Sequence, residues 1–539
     1  MDGSSPLSNF SPGKRPGENF DSPGTNHFKK RHGSLSNREL DSRVQIMNDP
    51  IHGFIELHPL LVKIIHTPQF QRLKDIKQLG VCYWVFPGAS HNRFEHCLGT
   101  SYLCGKMIDT LRELHRDEFE ITENESLCVK IAGLCHDLGH GPFSHFFDGV
   151  FIPRAKPGSL WQHEDASCAL FDFMMDSKNN PGLSETFAAF GLGENDKTFI
   201  KELFHGKNPE TDTVQRVCSK SGKSKWFLYE IVSNKRNGID CDKFDYFARD
   251  CFNVGVSSNF DCRRYFQNVR IIPVDNQLQI CVRDKEVFNL YELFHTRWSL
   301  HHRVYQHKTH AAIEHLLCEA LLKVDEKLKL SSAIYDMDRY WKLTDSIIYD
   351  ILRNDSGDED IREAQRLIQR IQRRELCKFC GQTQQLDPNE ECPSEIKIAK
   401  KMAEKSEGAL EHSQILVSII NINFGMKHRD PIDSVVFFNK SYQPLKVRKE
   451  QVSQLLPQKF HERYVRVYAK SREDTEMVQN CFEAWCRENE YPVPHMLEGD
   501  RTGYFSPAFK TIPGSQDTMK VPATSKINPR NLTKEFQEF

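Results

Sequence analysis

The sequence predicts a mainly α protein: a large helical core carrying short β elements, then a smaller mixed α/β lobe. Three observations carry this. Apolar residues recur at a three-to-four spacing through most of the stretch from Leu60 to Gln372. β-Branched runs are confined to short islands and to segments beyond about residue 380. With 539 residues, 39% of them hydrophobic, the chain can build a sizeable core.

Residues 1–43 are rich in Ser, Pro, Gly and Asn and are expected to form a disordered tail, too poor in apolar surface to fold. Two basic clusters there, Lys14-Arg15 and Lys29-Lys30-Arg31, fit a nuclear localisation signal and a solvated charge run equally well. VQIMNDPIHGFIELHP reads as short strands around the turn formers Asn48-Asp49-Pro50. From Leu60 the chain turns helical, with Leu61, Ile64 and Ile65 on one face. A β island spans Val269 to Val282, with a turn at Asp275-Asn276. The charged helix Asp360–Glu375 leads into GQTQQLDPNEECPSE, a polar lobe boundary. Beyond it, SQILVSIININFG and DSVVFFNK have strand character, while QVSQLLPQKF and MVQNCFEAWCREN look helical. The expected organisation is a tail at 1–43, a core at 44–380, a second lobe at 381–511 and a flexible tail at 512–539, with no solenoid repeat.

Lys plus Arg number 72 and Asp plus Glu 74, a balance that argues against recruitment to nucleic acid by bulk charge. No apolar run approaches the ~20 residues of a membrane span, and the polar N-terminus lacks a signal-peptide stretch. The chain is expected to be soluble and intracellular, and its 17 scattered cysteines to be mostly reduced thiols. Cys377 and Cys380 form a CxxC pair with no partner pair at zinc spacing, so they read as solvated thiols.

The informative segment is LCHDLGHGPFSH, which packs His136, Asp137, His140 and His145 together. The buried helix VKIAGLC precedes it, so a His-Asp pair at its end sets imidazole nitrogen beside carboxylate oxygen, a donor mix suited to a divalent transition metal. Gly139, Gly141 and Pro142 then break the helix and let His140 and His145 turn back to the same cleft. A helix C-terminus decorated with dipole-compensating histidines explains one histidine, not three plus an aspartate. His96, opening another apolar helix, and Asp242, in NGIDCDKFD, complete a two-nitrogen, two-oxygen set with positions left for water and phosphate. An early His, a distant His-Asp and a much later Asp form the HD signature, so the helical core is read as an HD-domain core. The ligand set admits iron, zinc or manganese.

Around these residues the chain closely resembles the vertebrate SAM- and HD-domain-containing deoxynucleoside triphosphate triphosphohydrolases. The segments NDPIHG, TPQFQRL, FPGASHNRFEH, IAGLCHDLGHGPFSH, FLYEIVSNKRNGID, RDKEV, YQHK and QVSQLLP carry the likeness, which runs from about Gln45 into the last lobe. A SAM domain is expected to be lacking, its place taken by the short polar tail. The resemblance implies hydrolysis of a dNTP to deoxynucleoside and inorganic triphosphate, with His96, His136, Asp137 and Asp242 on the metal. His163 would be the catalytic acid, oriented by Asp148, with His145 in support. Arg93, His140, Lys243 and Arg297 would contact phosphate. Gln78, Leu79, Tyr246, Asp250, Tyr305 and Gln306 would surround sugar and base. Leu79 and Tyr305 would close against C2′, giving deoxyribose preference, and Asp250 would receive the 3′-hydroxyl; few residues would touch the base, so all four dNTPs would be accepted.

The resemblance further implies activation by GTP or dGTP and a dNTP, with magnesium, bound between subunits of a homotetramer that is monomer or dimer without nucleotide. Asn48, Gln71, Lys74, Val85, Phe86, Arg264, Arg283, Lys285, Asn289, His307 and Lys308 match that region, with Lys446 and Lys449 in the second, regulatory and oligomerisation lobe. His66 stands where the family has a guanine-reading aspartate, and Lys74 where it has arginine. An imidazole accepts at most one of the two guanine N–H bonds, so weaker guanine selectivity is expected. Lowered dNTP pools imply antiviral restriction and roles in DNA replication and repair, in the nucleus and also the cytoplasm. The competing readings are an HD phosphodiesterase or nuclease, and a protein binding single-stranded nucleic acid through basic segments. Ser506-Pro507 is a weak phosphorylation motif.

Overall fold

The computed structural model describes residues 44–206, 216–219, 222–275, 277–389 and 391–491. The expected tails at 1–43 and 512–539, and Ser506-Pro507, lie outside the described residues. The chain opens as a ribbon in which β1 (Gln45–Asp49) pairs antiparallel with β2 (Gly53–Leu57). The Asp49 carboxylate closes its turn by accepting the Ile51 and His52 amides at 2.9 Å.

Two helices form the spine, Arg93–Leu114 and Glu123–Cys135, packed side by side through Leu103, Met107, Ile108, Val129 and Ile131, all buried. The second starts at a reciprocal cap: the Glu125 amide donates to Thr122 Oγ1 (3.1 Å) and the Thr122 amide to Glu125 Oε2 (2.8 Å). It ends at Cys135, so His136 and Asp137 emerge from a buried helix as the sequence predicts. A third helix, Cys241–Val254, crosses the first so closely that a Cβ at Gly99 would lie 1.8 Å from Asp245 Oδ1. Helices Val287–Leu300 and Lys308–Leu328 and the charged helix Glu359–Gln372 extend the same core.

The predicted β island is the hairpin β3 (Val269–Val274) and β4 (Gln277–Arg283). In the C-terminal part, β5 (Lys378–Gln382) and β6 (Ile415–Asn423) flank β9 (His461–Ala469) in an antiparallel sheet. Helices Glu395–Glu404 and Thr475–Glu488 cover it over a separate core of Ile398, Met402, Val465, Val467, Phe482 and Trp485. Between β6 and β9, however, the chain returns to the main body. There β7 (Phe437–Phe438) joins β4 in parallel and β8 (Pro444–Leu445) antiparallel, and Phe424, Ile432, Val435 and Phe460 enter the large core. The segment expected as one lobe thus serves two cores.

Three local expectations are corrected. Of QVSQLLPQKF only the end of a four-residue helix, Lys449–Val452, is helical; Pro457 biases Leu456 out of the helical region, and Leu455 is exposed. Of DSVVFFNK only Phe437–Phe438 pairs. Cys377 and Cys380 are buried, 7% and 2% exposed, rather than solvated: three residues apart in extended chain, they face opposite sides, Cys377 in the cluster of Tyr468 and Cys380 in that of Phe482. Neither belongs to a group able to hold a metal among the described residues. None of the 17 cysteines is exposed. No described helix is long and apolar enough to cross a membrane.

Candidate active site

The three central helices converge on one point. His96, in the first turn of Arg93–Leu114, is fully buried, and its Nδ1 lies 2.8 Å from Asp245 Oδ2. His136 Nδ1 lies 3.0 Å from the Gly133 carbonyl. Each second-side hydrogen bond fixes the tautomer and leaves Nε2 as the lone-pair atom. Both Nε2 atoms are buried without a hydrogen-bond partner, and both face Asp242 Oδ1, at 3.1 and 3.4 Å. Asp137 closes the set, its Oδ2 3.4 Å from His96 Nε2 and its Oδ1 3.5 Å from His136 Nε2. Orphaned imidazole nitrogens opposed to two carboxylates are the donor set of a divalent transition metal, and the residues fit one. Burial opposes the charge of His136, yet Asp137 and Asp242 hold its pKa up at about 9, so a proton and a metal compete for Nε2. Burial likewise opposes the Asp137 carboxylate, but Arg93, His136 and His140 keep it well below its ordinary range.

Asp242 reaches the point because Asp240 caps its helix, accepting the Lys243 amide at 3.1 Å. Asp245, one turn further on, is a residue the sequence reading missed. It holds His96, His52 (2.6 Å) and Arg249 (2.9 Å) together. Its i+3 spacing from Asp242 in DKFD was the available signal.

Beside the metal set stands a second group. His163 Nδ1 is 2.6 Å from Asp148 Oδ2, so its Nε2 is the nitrogen left for chemistry. Its ring stacks on His140, centroids 3.9 Å apart, and meets His145 edge-on at 5.4 Å. Burial works against the charge of His163, but Asp148 raises its pKa. His145 is mostly exposed and 3.5 Å from Asp148 Oδ1. Asp148 and Tyr305 each sit in a single π-helical turn, Phe147–Phe151 and His301–Tyr305.

One cavity of about 910 Å³ is lined by His136, Asp137 and Asp242, by Arg93, His145 and His163, and by all nine expected substrate residues, Gln78, Leu79, His140, Lys243, Tyr246, Asp250, Arg297, Tyr305 and Gln306. Arg154 and Lys235 add cations that the sequence reading did not single out. Arg93 bridges the Asp137 carboxylate (2.5 Å), Ser144 Oγ (2.9 Å) and the Gln78 carbonyl (3.2 Å). Asp250 already holds two partners, Tyr305 Oη at 2.5 Å and His91 Nε2 at 2.6 Å.

The residues expected for activators lie elsewhere. Lys74 donates to Gln71 at 2.7 Å and lies over the Phe94 ring; His66 is exposed nearby in sequence. The Phe86 and His307 rings are 5.8 Å apart. Arg264 pairs with Glu286 (2.8 Å), Asn289 bonds the Asp261 carbonyl (3.0 Å), and Arg283 pairs with Asp284 (2.7 Å), close in sequence to Lys285. Lys446 binds the Asp433 carbonyl at 2.9 Å and Lys449 that of Pro457. Asn48 lies on β1 and Lys308 begins its helix.

Fold and site together define a metal-dependent HD phosphohydrolase, and the HD domain family matches residues 93–173. The chain is 46% identical over 481 residues to human deoxynucleoside triphosphate triphosphohydrolase SAMHD1, covering 85% of this chain and 75% of the human one. It is 45% identical to the zebrafish protein (Danio rerio) of the same name, 85% against 76% covered, and 36% identical to the SAMHD1 homolog of Dictyostelium discoideum, 86% against 85%. The chain belongs to the SAMHD1 family.

Proposed function

We propose that this protein hydrolyses deoxynucleoside triphosphates to deoxynucleoside and inorganic triphosphate. The observation that carries the reading is the His163–Asp148 pair beside the cluster of His96, His136 and Asp242, which Asp137 adjoins, at a cation-lined cavity, in a chain 46% identical to the human enzyme. The metal, when bound, would supply Lewis acidity at the reacting phosphate; iron, zinc and manganese all suit the donors, and magnesium would accompany the nucleotide.

The chain's own residues do the rest. Lys243, Arg297 and Arg93 balance the triphosphate charge, while His140, kept neutral by burial and by Arg93, contacts the phosphate as a hydrogen-bond donor. Water attacks the α-phosphorus and the bond to the 5′-oxygen breaks. His163 gives its Nε2 proton to that oxygen, while Asp148 stabilises and aims the imidazolium. Leu79 and Tyr305 crowd C2′, disfavouring a ribose hydroxyl. Asp250, held by His91, receives the 3′-hydroxyl in exchange for Tyr305.

GTP or dGTP and a dNTP are proposed activators, bound at subunit contacts and driving a homotetramer. His66 and Lys74 in place of the family's aspartate and arginine support a loosened guanine preference at the first activator position. Lowering dNTP pools in the nucleus would follow. Purified protein given dATP, alone and with GTP or dGTP, is expected to release triphosphate and deoxyadenosine on ion exchange. Monophosphate with pyrophosphate, or no turnover with any activator, would reject the reading.

A further inference from the structure

Phe143 and Ser144, in the turn that joins His140 to His145, both have left-handed backbones, φ 61° and 56°. Neither residue has the freedom of glycine, and such conformations cost of order 1–3 kcal/mol each unless surrounding contacts over-determine them. The turn is also pressed against another segment: a Cβ at Gly80 would stand 2.4 Å from the Phe143 carbonyl oxygen.

The bonds that hold it come from a distant stretch, residues 340–345, outside the span matched by the HD family. Asp345 Oδ1 accepts the Phe143 amide at 2.6 Å and its Oδ2 accepts the Lys77 amide at 2.9 Å. Ser144 Oγ then donates to the Lys77 carbonyl (2.6 Å) and accepts from Arg93 Nε (2.9 Å), and Arg93 grips Asp137. The same stretch reaches the histidine segment twice more. Tyr340 Oη donates to the Gly139 carbonyl at 2.6 Å. The Leu343 carbonyl accepts Arg72 Nη2 at 2.8 Å, and Arg72 also bonds the Leu138 and His140 carbonyls, both at 2.9 Å.

We infer that Asp345 is a positioning residue for the reaction: its two oxygens clamp the Lys77 and Phe143 amides together, and through Ser144 and Arg93 they set Asp137, His140 and His145 in their reactive places. It touches neither metal set nor cavity and acts only through the turn. The inference rests on the phosphohydrolase reading for its kinetic consequence, but the clamp itself is a property of the fold.

The test uses the full chain. Asp345→Asn keeps the shape but presents an amide N–H to one of the two donors. It is expected to lower kcat for dATP tenfold or more, with KM changed less than threefold and metal content unchanged. Asp345→Glu keeps both acceptors and is expected to recover part of that loss. If Asp345→Asn does not fold, Asp345→Ser, which keeps one acceptor, is read against wild type, where unchanged kcat overturns the clamp. Ser144→Ala combined with Asp345→Asn is expected to cost less than the product of the two single effects; a full product overturns the shared path. Hydrogen–deuterium exchange separates this from the activity reading. Asp345→Asn should raise exchange in peptides covering 140–146, and unaltered exchange overturns the clamp even if no dNTP is turned over.

Discussion

At the scale of single residues the site divides into groups that do chemistry and groups that aim them. His163→Ala should lower turnover about 10²–10⁴-fold, the usual worth of a general acid. Asp148→Asn should fall in the same range while metal content stays at the wild-type value; metal loss instead would move Asp148 into the ligand set. Asp345 adds a pH effect. The residue is half-buried, and burial, opposed by the Lys77 and Phe143 amides, pushes its pKa up to about 7. A carboxyl raised in the folded state contributes stability that is full below its unfolded pKa and is lost as pH rises through the folded one. Wild type should therefore lose about 1–3 kcal/mol relative to Asp345→Asn between about pH 4 and pH 8, discounted for residual solvent screening. Parallel denaturation curves of the two proteins across that range would show no such group at 345. The His136-Asp137 pair was legible in the sequence because it is a local signal, and the structure brings Asp242 beside His96 and His136. Asp245, Ser144 and Asp345 were not legible, because each acquires meaning from a contact far along the chain: Asp245 meets His96 across 149 positions and Asp345 meets Phe143 across 202.

At the scale of elements the decisive feature is how near the helices come. Gly99 lets Arg93–Leu114 meet Cys241–Val254 with Asp245 in the gap. Gly99→Ala should force the helices apart, cost about 1–3 kcal/mol and lower metal occupancy, since His96 and Asp242 stand on the two separated helices. Thermal melting with metal analysis reads both, and an unaffected metal content would show that the helices separate elsewhere. Apolar periodicity made the spine helices readable in the sequence, the turn formers did the same for β1 and β2, and β-branched residues did so for the hairpin at Val269–Arg283, whose turn residue Asn276 lies outside the described residues. QVSQLLPQKF misled because apolar spacing persists there while Pro457 and solvent exposure of Leu455 forbid a helix. The return of residues 424–460 to the large core was invisible because β7 and β8 are two residues each. Their pairing comes from β4, far back in the chain, where Val282 registers with Phe437.

For the whole molecule, a metal that binds only the folded chain adds stability by mass action. Removing it with a chelator should lower the melting temperature and abolish turnover together, and re-addition of one metal at a time should restore both. If activity vanishes while melting is unmoved, the ligand cluster contributes nothing to the fold. Addition of GTP with dATP is expected to shift sedimentation from monomer or dimer to tetramer, and a smaller selectivity for GTP over ATP than the family's aspartate would give is the expected mark of His66. The burial of the native thiols has a practical side. Fourteen are buried and three half-buried, and burial pushes several of the thiols, Cys82 among them, well above their ordinary value. A single cysteine introduced on an exposed face should therefore take a maleimide dye ahead of all 17, so fluorescent reporters of subunit assembly can be placed on the otherwise unaltered chain.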